Sequence, residues 1–239
     1  MVFMTSTSPS ALIVRSHPEP GSFSSSQTDV AASALADAGY VVDTIDLYGD
    51  EWQPVLDRSE FPATEGLFKP QAAQMRAVVD GTLDGIVQEH LDRLIGADLL
   101  VLSFPLWWFS VPAILKGWID RVFVMGAVFG GEHGLFDEAA LAGKDAVLLV
   151  TTGGSEEAFG ADGAFGLMDD FLFHLRRGVL EFVGYRVLEP VITYGPARLD
   201  EPSREAALAV VRERFTAITV AAAGDSVRLH QSAGIAAPS

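Results

Sequence analysis

The chain is expected to fold as an α/β domain: a doubly wound, five-stranded parallel sheet with helices on both faces. Three observations predict it. Short, continuously apolar runs of strand length recur along the 239 residues, and such runs belong to strands buried on both sides. Segments of helical periodicity separate them, as in repeated βα units. The hydrophobic share is 49%, enough for a full core in a chain of this length.

In order, residues 11–16 (ALIVRS) read as a buried strand and 24–38 as a helix. Residues 41–46 (VVDTID) are the second strand and 84–95 the next helix. The run LLVLSF, 99–104, is the third strand. It leads into a helix at 112–124 with apolar residues on one face and Lys116, Asp120 and Arg121 on the other. Residues 145–151 (DAVLLVT) give the fourth strand, 166–183 a helix, 186–194 the fifth strand and 201–222 the last helix. Two segments stand outside this pattern: 49–80, with Pro54, Pro62 and Pro70, and 126–143. Loops of that length in a compact domain serve function or contact partners. The domain is read as 1–222, with a polar, low-complexity tail at 223–239 expected to fray or to dock on another subunit.

The net charge of −16 argues against a nucleic-acid partner and against an anionic membrane surface, since phosphate binding rests on clustered Lys and Arg. A phosphate held locally by N–H groups at a helix start remains compatible with it. The absence of cysteine excludes disulfides and thiolate metal sites and suits a reducing cytoplasm. The opening MVFMTSTSPS lacks the basic region of a signal peptide. No run of about 18 apolar residues is present, so no membrane-spanning helix is expected.

Ligands of open α/β sheets bind outside the carboxyl ends of the strands, and three of those ends are unusual. The first strand runs into HPEPGSFSSS, where His17 precedes a Pro- and Gly-shaped turn and Ser22, Ser24, Ser25 and Ser26 supply helix caps. Hydroxyls, free N–H groups and a positive dipole end together make an anion site, although serines that merely cap the helix would look the same. The turn lacks both the G-x-G-x-x-G and the G-x-x-x-x-G-K pattern. The third strand ends in Leu106, Trp107, Trp108 and Phe109. One of the two tryptophans is expected to fill core space, and the loop as a whole to hold a flat apolar ligand. A flavin ring system suits it, with loop N–H groups on its polar edge. The fourth strand ends in Thr151, Thr152, Gly153, Gly154 and Ser155. Paired glycines allow close backbone approach, and oriented N–H groups there can stabilise negative charge on a reduced flavin. His90 and His174 stand at no metal spacing and are read as structural or surface residues, and no metal site is expected. Most of the acidic residues are read as solvated surface rather than as acid–base pairs.

Taken together, these residues resemble the NAD(P)H:quinone oxidoreductases, the DT-diaphorase relatives among flavodoxin-like flavoproteins. The matching pieces are H-x-x-x-x-S-F-S at 17–24, PLWWFSVPAILKGWIDRVF at 105–123, TTGGS at 151–155 and GYRVLEP at 184–190. The second is long and diagnostic. The resemblance implies that His17, Phe23 and Ser24 hold the flavin diphosphate or ribityl chain. It implies that Leu106, Trp107, Trp108 and Phe109, with Thr151 to Gly154, hold the ring system. Arg204 falls loosely where the family places a basic residue near the cofactor, and Phe129 loosely where it lines the quinone pocket. It further implies FAD rather than FMN, NADPH or NADH as co-substrate, a homodimer whose subunits share the pocket, and a quinone-like acceptor. Where animal members carry a Tyr and a His that bond or relay charge to flavin and quinone, this chain has Phe159 and Phe165, and neither donates a proton. His133, in a glycine-rich loop, is the expected substitute donor.

The reading is therefore a cytoplasmic enzyme that passes a hydride from the nicotinamide to the flavin, and then to the acceptor in one two-electron step. Two other classes are weighed. One is a flavin-binding regulatory subunit of a potassium-efflux system, for which the acidic surface and the 49–80 segment would serve a partner. The other is an FMN electron-transfer flavodoxin, whose T-x-T-x-x-[ST] phosphate loop HPEPGSFSS does not match.

Overall fold

A computed structural model describes residues 8–218. The tail at 223–239, and the end of the last helix expected at 219–222, lie outside the described residues. Six strands form one sheet: β1 (Ser10–Arg15), β2 (Val41–Asp46), β3 (Leu99–Pro105), β4 (Asp145–Thr152), β5 (Arg186–Val187) and β6 (Val191–Tyr194). Their order is β2-β1-β3-β4-β5, β6 also pairs with β4, and every pairing is parallel. The long helices are α1 (Phe23–Asp37), α2 (Pro70–Asp80), α3 (Gly85–Gly96), α4 (Ala113–Val122), α5 (Met168–Leu175) and α6 (Glu201–Thr216).

Period-two alternation along the strands divides the core into two layers. On β1, Leu12 and Val14 face the larger layer, with Leu94 of α3, Trp118 of α4 and Leu172 of α5. Ala11 and Ile13 face the other, with Leu35 of α1 and Phe215 of α6. The order places β1, β3 and β4 side by side at the centre, so the loops after these three strands emerge together.

The fifth strand expected at 186–194 is two strands. Pro190 has no N–H to give to a ladder, so pairing with β4 stops after Leu188, which donates to the Ala146 carbonyl at 2.8 Å, and resumes at Val191. The 49–80 segment is not all loop. Pro70 begins α2 at a position where a missing N–H does no harm, and Gly81, at φ +63°, ends it. The helix expected from 166 begins at Met168, and after Leu175 it widens into a π turn over Arg176–Leu180 and a 3₁₀ turn over Glu181–Val183. Two acidic side chains are paired rather than solvated. Asp145 is buried against Arg186 in a bidentate pair at 2.6 and 2.7 Å, and Glu60 accepts from the buried Arg121 at 2.9 Å.

His90 is structural. Its Nδ1 accepts the Trp118 indole N–H at 3.1 Å, and its ring stacks on Trp52 at 4.9 Å. Burial, and then nearby Arg93, hold its pKa below the ordinary 6.5. The folded state thus binds this proton less readily than the unfolded chain. Its stabilising contribution is complete above about pH 6.5 and falls as pH drops through that value. Urea titrations from pH 7.5 to 5.5 are expected to show stability falling, and a His90→Gln variant a flatter profile. Parallel profiles would place the acid sensitivity elsewhere. No helix among the described residues is long and apolar enough to cross a membrane.

Candidate functional site

The first turn is built on His17 and Ser22. The His17 Nδ1 lies 3.0 Å from the Glu19 N–H and 3.2 Å from the Glu19 carbonyl, which ties the ring to the turn. Ser22 caps α1, its hydroxyl accepting the Ser25 N–H at 3.1 Å, while the Ser25 hydroxyl donates to the Glu19 carbonyl at 3.0 Å. The N–H groups of Phe23 and Ser24 have no partner among the described residues. They stand at the positive end of a 15-residue helix, as an anion site requires. One nearby donor is already occupied: the Gly21 N–H binds the Glu19 carboxylate at 2.9 Å.

Beside it, the loop after β3 closes as a two-residue turn. Trp107 and Ser110 exchange N–H to carbonyl bonds, both of 3.0 Å. Trp108 and Phe109 between them have φ of +52° and +58°. This is a type I′ arrangement, normally filled by Asn and Gly. Holding a non-glycine residue there costs about 1–2 kcal/mol. What the turn gains is display. Trp108 is 96% exposed and Phe109 40%, and the Trp108 and Phe109 N–H groups have no partner among the described residues. Trp107 is 41% exposed, 6.1 Å from the His17 ring. The expectation that one tryptophan fills the core is therefore incorrect, because the reversed backbone turns both outward. Leu106, by contrast, is buried, and its N–H donates to Thr151 at 2.7 Å, tying the turn to β4.

Thr151 and Thr152 are the buried last residues of β4. The Thr152 carbonyl accepts the Gly195 N–H at 2.7 Å, on the β6 side. A trans peptide points its N–H opposite to its carbonyl, so the Gly153 N–H faces away from β6, toward the end of β3. It has no partner among the described residues, and a Cβ added at Gly153 would meet nothing within 4 Å. At Gly154 the space is taken, since a Cβ would lie 2.5 Å from the Phe159 ring and 3.1 Å from that of Phe165.

Those rings form an apolar wall. Phe109 stacks on Phe171 at 4.7 Å and meets Phe165 at 5.3 Å and Phe159 at 6.2 Å, while Phe159 and Phe165 lie 5.2 Å apart. Behind it, the Tyr194 ring is 6.0 Å from Phe159. Burial, and then Glu156 and Asp169, hold the Tyr194 hydroxyl above its usual pKa, and so neutral. His174, on the surface of α5, has Nε2 3.3 Å from the Ser110 hydroxyl. The turn, the glycine pair and the wall fit a flat ring system with a polar edge: open space above Gly153, free N–H groups facing it, and aromatic faces beside it.

The structure brings together His17, Phe23, Ser24, Leu106 to Phe109, Thr151 to Gly154, Phe159 and Phe165. It does not bring in three other expected residues. Arg204 donates to the Pro196 carbonyl at 3.1 Å. Phe129 pairs with Phe182 at 5.4 Å and lines a separate cavity of about 250 Å³ with Ile119, Phe123 and Val179. His133 closes a turn on Gly130, and its ring makes no hydrogen bond among the described residues. In the same loop, Gly126 packs on Met75 of α2. Arg198, which no sequence pattern marks, donates to the Gly153 carbonyl at 2.5 Å.

An open parallel sheet in the order 2-1-3-4-5 with a ligand cradle at the β1/β3 switch point defines a flavodoxin-like protein. A family model described as "Flavodoxin-like fold" matches residues 9–217, and the chain belongs to that family. It is 38% identical over 210 residues to the ribosyldihydronicotinamide dehydrogenase [quinone] of Mus musculus, covering 87% of this chain and 90% of the relative. It is 35% identical over 210 residues to the NAD(P)H dehydrogenase [quinone] 1 of Cavia porcellus, covering 86% and 75%. Among solved structures, a putative quinone reductase from Klebsiella pneumoniae superposes with a TM-score of 0.83 at 34% identity, covering 87% of this chain and 84% of the other.

Proposed function

We propose that the protein is a flavin-dependent NAD(P)H oxidoreductase of the quinone-reductase type, acting on a quinone or similar flat acceptor. The observation that carries this reading is the convergence of an anion-type turn, a strained aromatic turn and a free Gly153 N–H at three adjacent strand ends. Its relatives' names agree with it. Bound there, a flavin would supply two-electron hydride exchange between a nicotinamide and the acceptor. The chain's part is to bind and orient. The N–H groups of Phe23 and Ser24 would take the cofactor's phosphate, FAD rather than FMN on this reading. Trp107 and Trp108 would lie against the rings, and the Gly153 N–H would stabilise charge on their polar edge. The wall of Phe109, Phe159, Phe165 and Phe171 excludes water and offers no proton, so protons for the acceptor come from solvent.

On this proposal the enzyme works in the cytoplasm as a homodimer, using NADPH or NADH, and Phe129 would reach an acceptor only across the subunit interface. The regulatory-subunit and electron-transfer readings are not favoured: the relatives named here carry dehydrogenase and reductase names. The test is to purify the protein, release the cofactor, identify it by mass, and add NADPH and NADH anaerobically. The expected result is a yellow protein with FAD that bleaches with one of the nucleotides and recolours with a quinone. A colourless protein that gains no flavin on incubation would overturn the proposal.

A further inference from the structure

Arg176, Arg177, Arg186 and Arg212 end on carboxylates, whereas Arg58 and Arg204 end on main-chain carbonyls. Arg198 likewise ends on a main-chain carbonyl, that of Gly153 in the glycine turn, at 2.5 Å. The fold makes specific room for it. Gly195 has φ +55°, and a Cβ there would stand 2.6 Å from the Arg198 guanidinium, so a larger residue would push the side chain aside. The same Gly195 donates to the Thr152 carbonyl at 2.7 Å, and Arg198 donates its own N–H back to Gly195 at 2.9 Å. Two consecutive carbonyls of the glycine turn, those of Thr152 and Gly153, are thus pinned from the β6 side. The Gly154 N–H is taken by the Thr152 hydroxyl at 3.2 Å, which leaves the Gly153 N–H as the donor still free.

We propose that Arg198 is a positioning residue that fixes the Gly153–Gly154 peptide, next to the one that carries the free N–H, and sets a permanent positive charge behind the turn, favouring the reduced, anionic form of the bound flavin. The inference rests on the flavin reading above. Uptake of one hydride adds two electrons and one proton to the neutral ring system and leaves one negative charge. In a protein of net charge −16 the surrounding field opposes that charge, and a guanidinium with no carboxylate partner among the described residues offsets it locally.

The experiment measures the midpoint potential of the bound flavin at low ionic strength in the wild type and in Arg198→Gln, Arg198→Lys and Gly195→Ala. Gln removes the charge and shortens the side chain, whereas Lys keeps the charge at nearly the same reach. Arg198 is solvent-exposed, so both of its variants are expected to fold. The expected result is a lower potential for Arg198→Gln, equivalent to a reduced-to-oxidised affinity ratio about three- to fivefold smaller, with Arg198→Lys close to the wild type. Gly195→Ala, which displaces the guanidinium without removing it, is expected to follow Arg198→Gln. Flavin bound with an unchanged potential in Arg198→Gln overturns this inference and leaves the flavin reading standing. A wild-type protein that takes up no flavin overturns both.

Discussion

Gly117→Ala is expected to destabilise the protein by about 3 kcal/mol, although alanine is the better helix former by about 1 kcal/mol. Gly117 lies within α4, where a Cβ would stand 2.0 Å from the Pro54 carbonyl oxygen, 2.4 Å from its Cβ and 2.5 Å from its Cα. These atoms belong to the backbone and ring of a crossing segment that is held in several places. Arg121 donates to the Gln53 carbonyl at 2.5 Å and to Glu60 at 2.9 Å, and its guanidinium lies 4.5 Å from the Trp52 ring centroid. A methyl group can be accommodated only by lifting the segment. That loosens a buried ion pair whose disruption costs about 3–5 kcal/mol, on top of overpacking of about 1–3 kcal/mol. Partial relaxation of each brings the net effect to about 3 kcal/mol. A melting temperature lower by about 6–12 °C is the corresponding readout. An unchanged melting temperature would mean that the segment does not rest on α4 as described.

Gly117 also shows which parts of this protein its sequence announces. The motif at 105–123 is read at once as ligand loop and helix, because strand, turn and amphipathic face each leave a periodic trace. The glycine inside it carries no such trace, since its reason lies in Pro54, more than sixty positions away. The same holds for α2. Three prolines make 49–80 look like loop, yet Pro70 is a helix start, and only the run of residues after it reveals that role. Strand ends and their loops are legible because a parallel sheet fixes where they emerge. The partners of the loops are not. Arg204 and Arg198 lie six residues apart, one on α6 and one on the turn that starts at Gly195, and it is the Arg198 guanidinium that reaches Gly153. Likewise, aromatic residues in a row are core or display according to backbone dihedrals, and composition does not report a φ of +52° at Trp108.

That dihedral makes the second large effect one of opposite sign in two properties. Trp108→Asn is expected to stabilise the fold while weakening flavin binding about tenfold. At 96% exposure the indole buries almost nothing within the chain, so its removal forfeits little hydrophobic stabilisation. Asn tolerates the left-handed region that Trp108 occupies at a penalty of about 1–2 kcal/mol. A gain of about 0.5–1 kcal/mol should appear as a melting temperature higher by about 2 °C. Loss of the aromatic face against a flat ligand is worth about 1.5 kcal/mol, or tenfold in affinity. Phe109 provides the internal contrast. It has nearly the same φ, +58°, but its ring is stacked on Phe171 at 4.7 Å and meets Phe165 at 5.3 Å. Phe109→Asn should therefore lower both stability and flavin affinity. Thermal melts and flavin titrations of the two variants separate strain kept for ligand binding from ordinary packing. If Trp108→Asn instead melts lower and binds flavin as the wild type does, the turn is a structural corner and the ring system is held elsewhere.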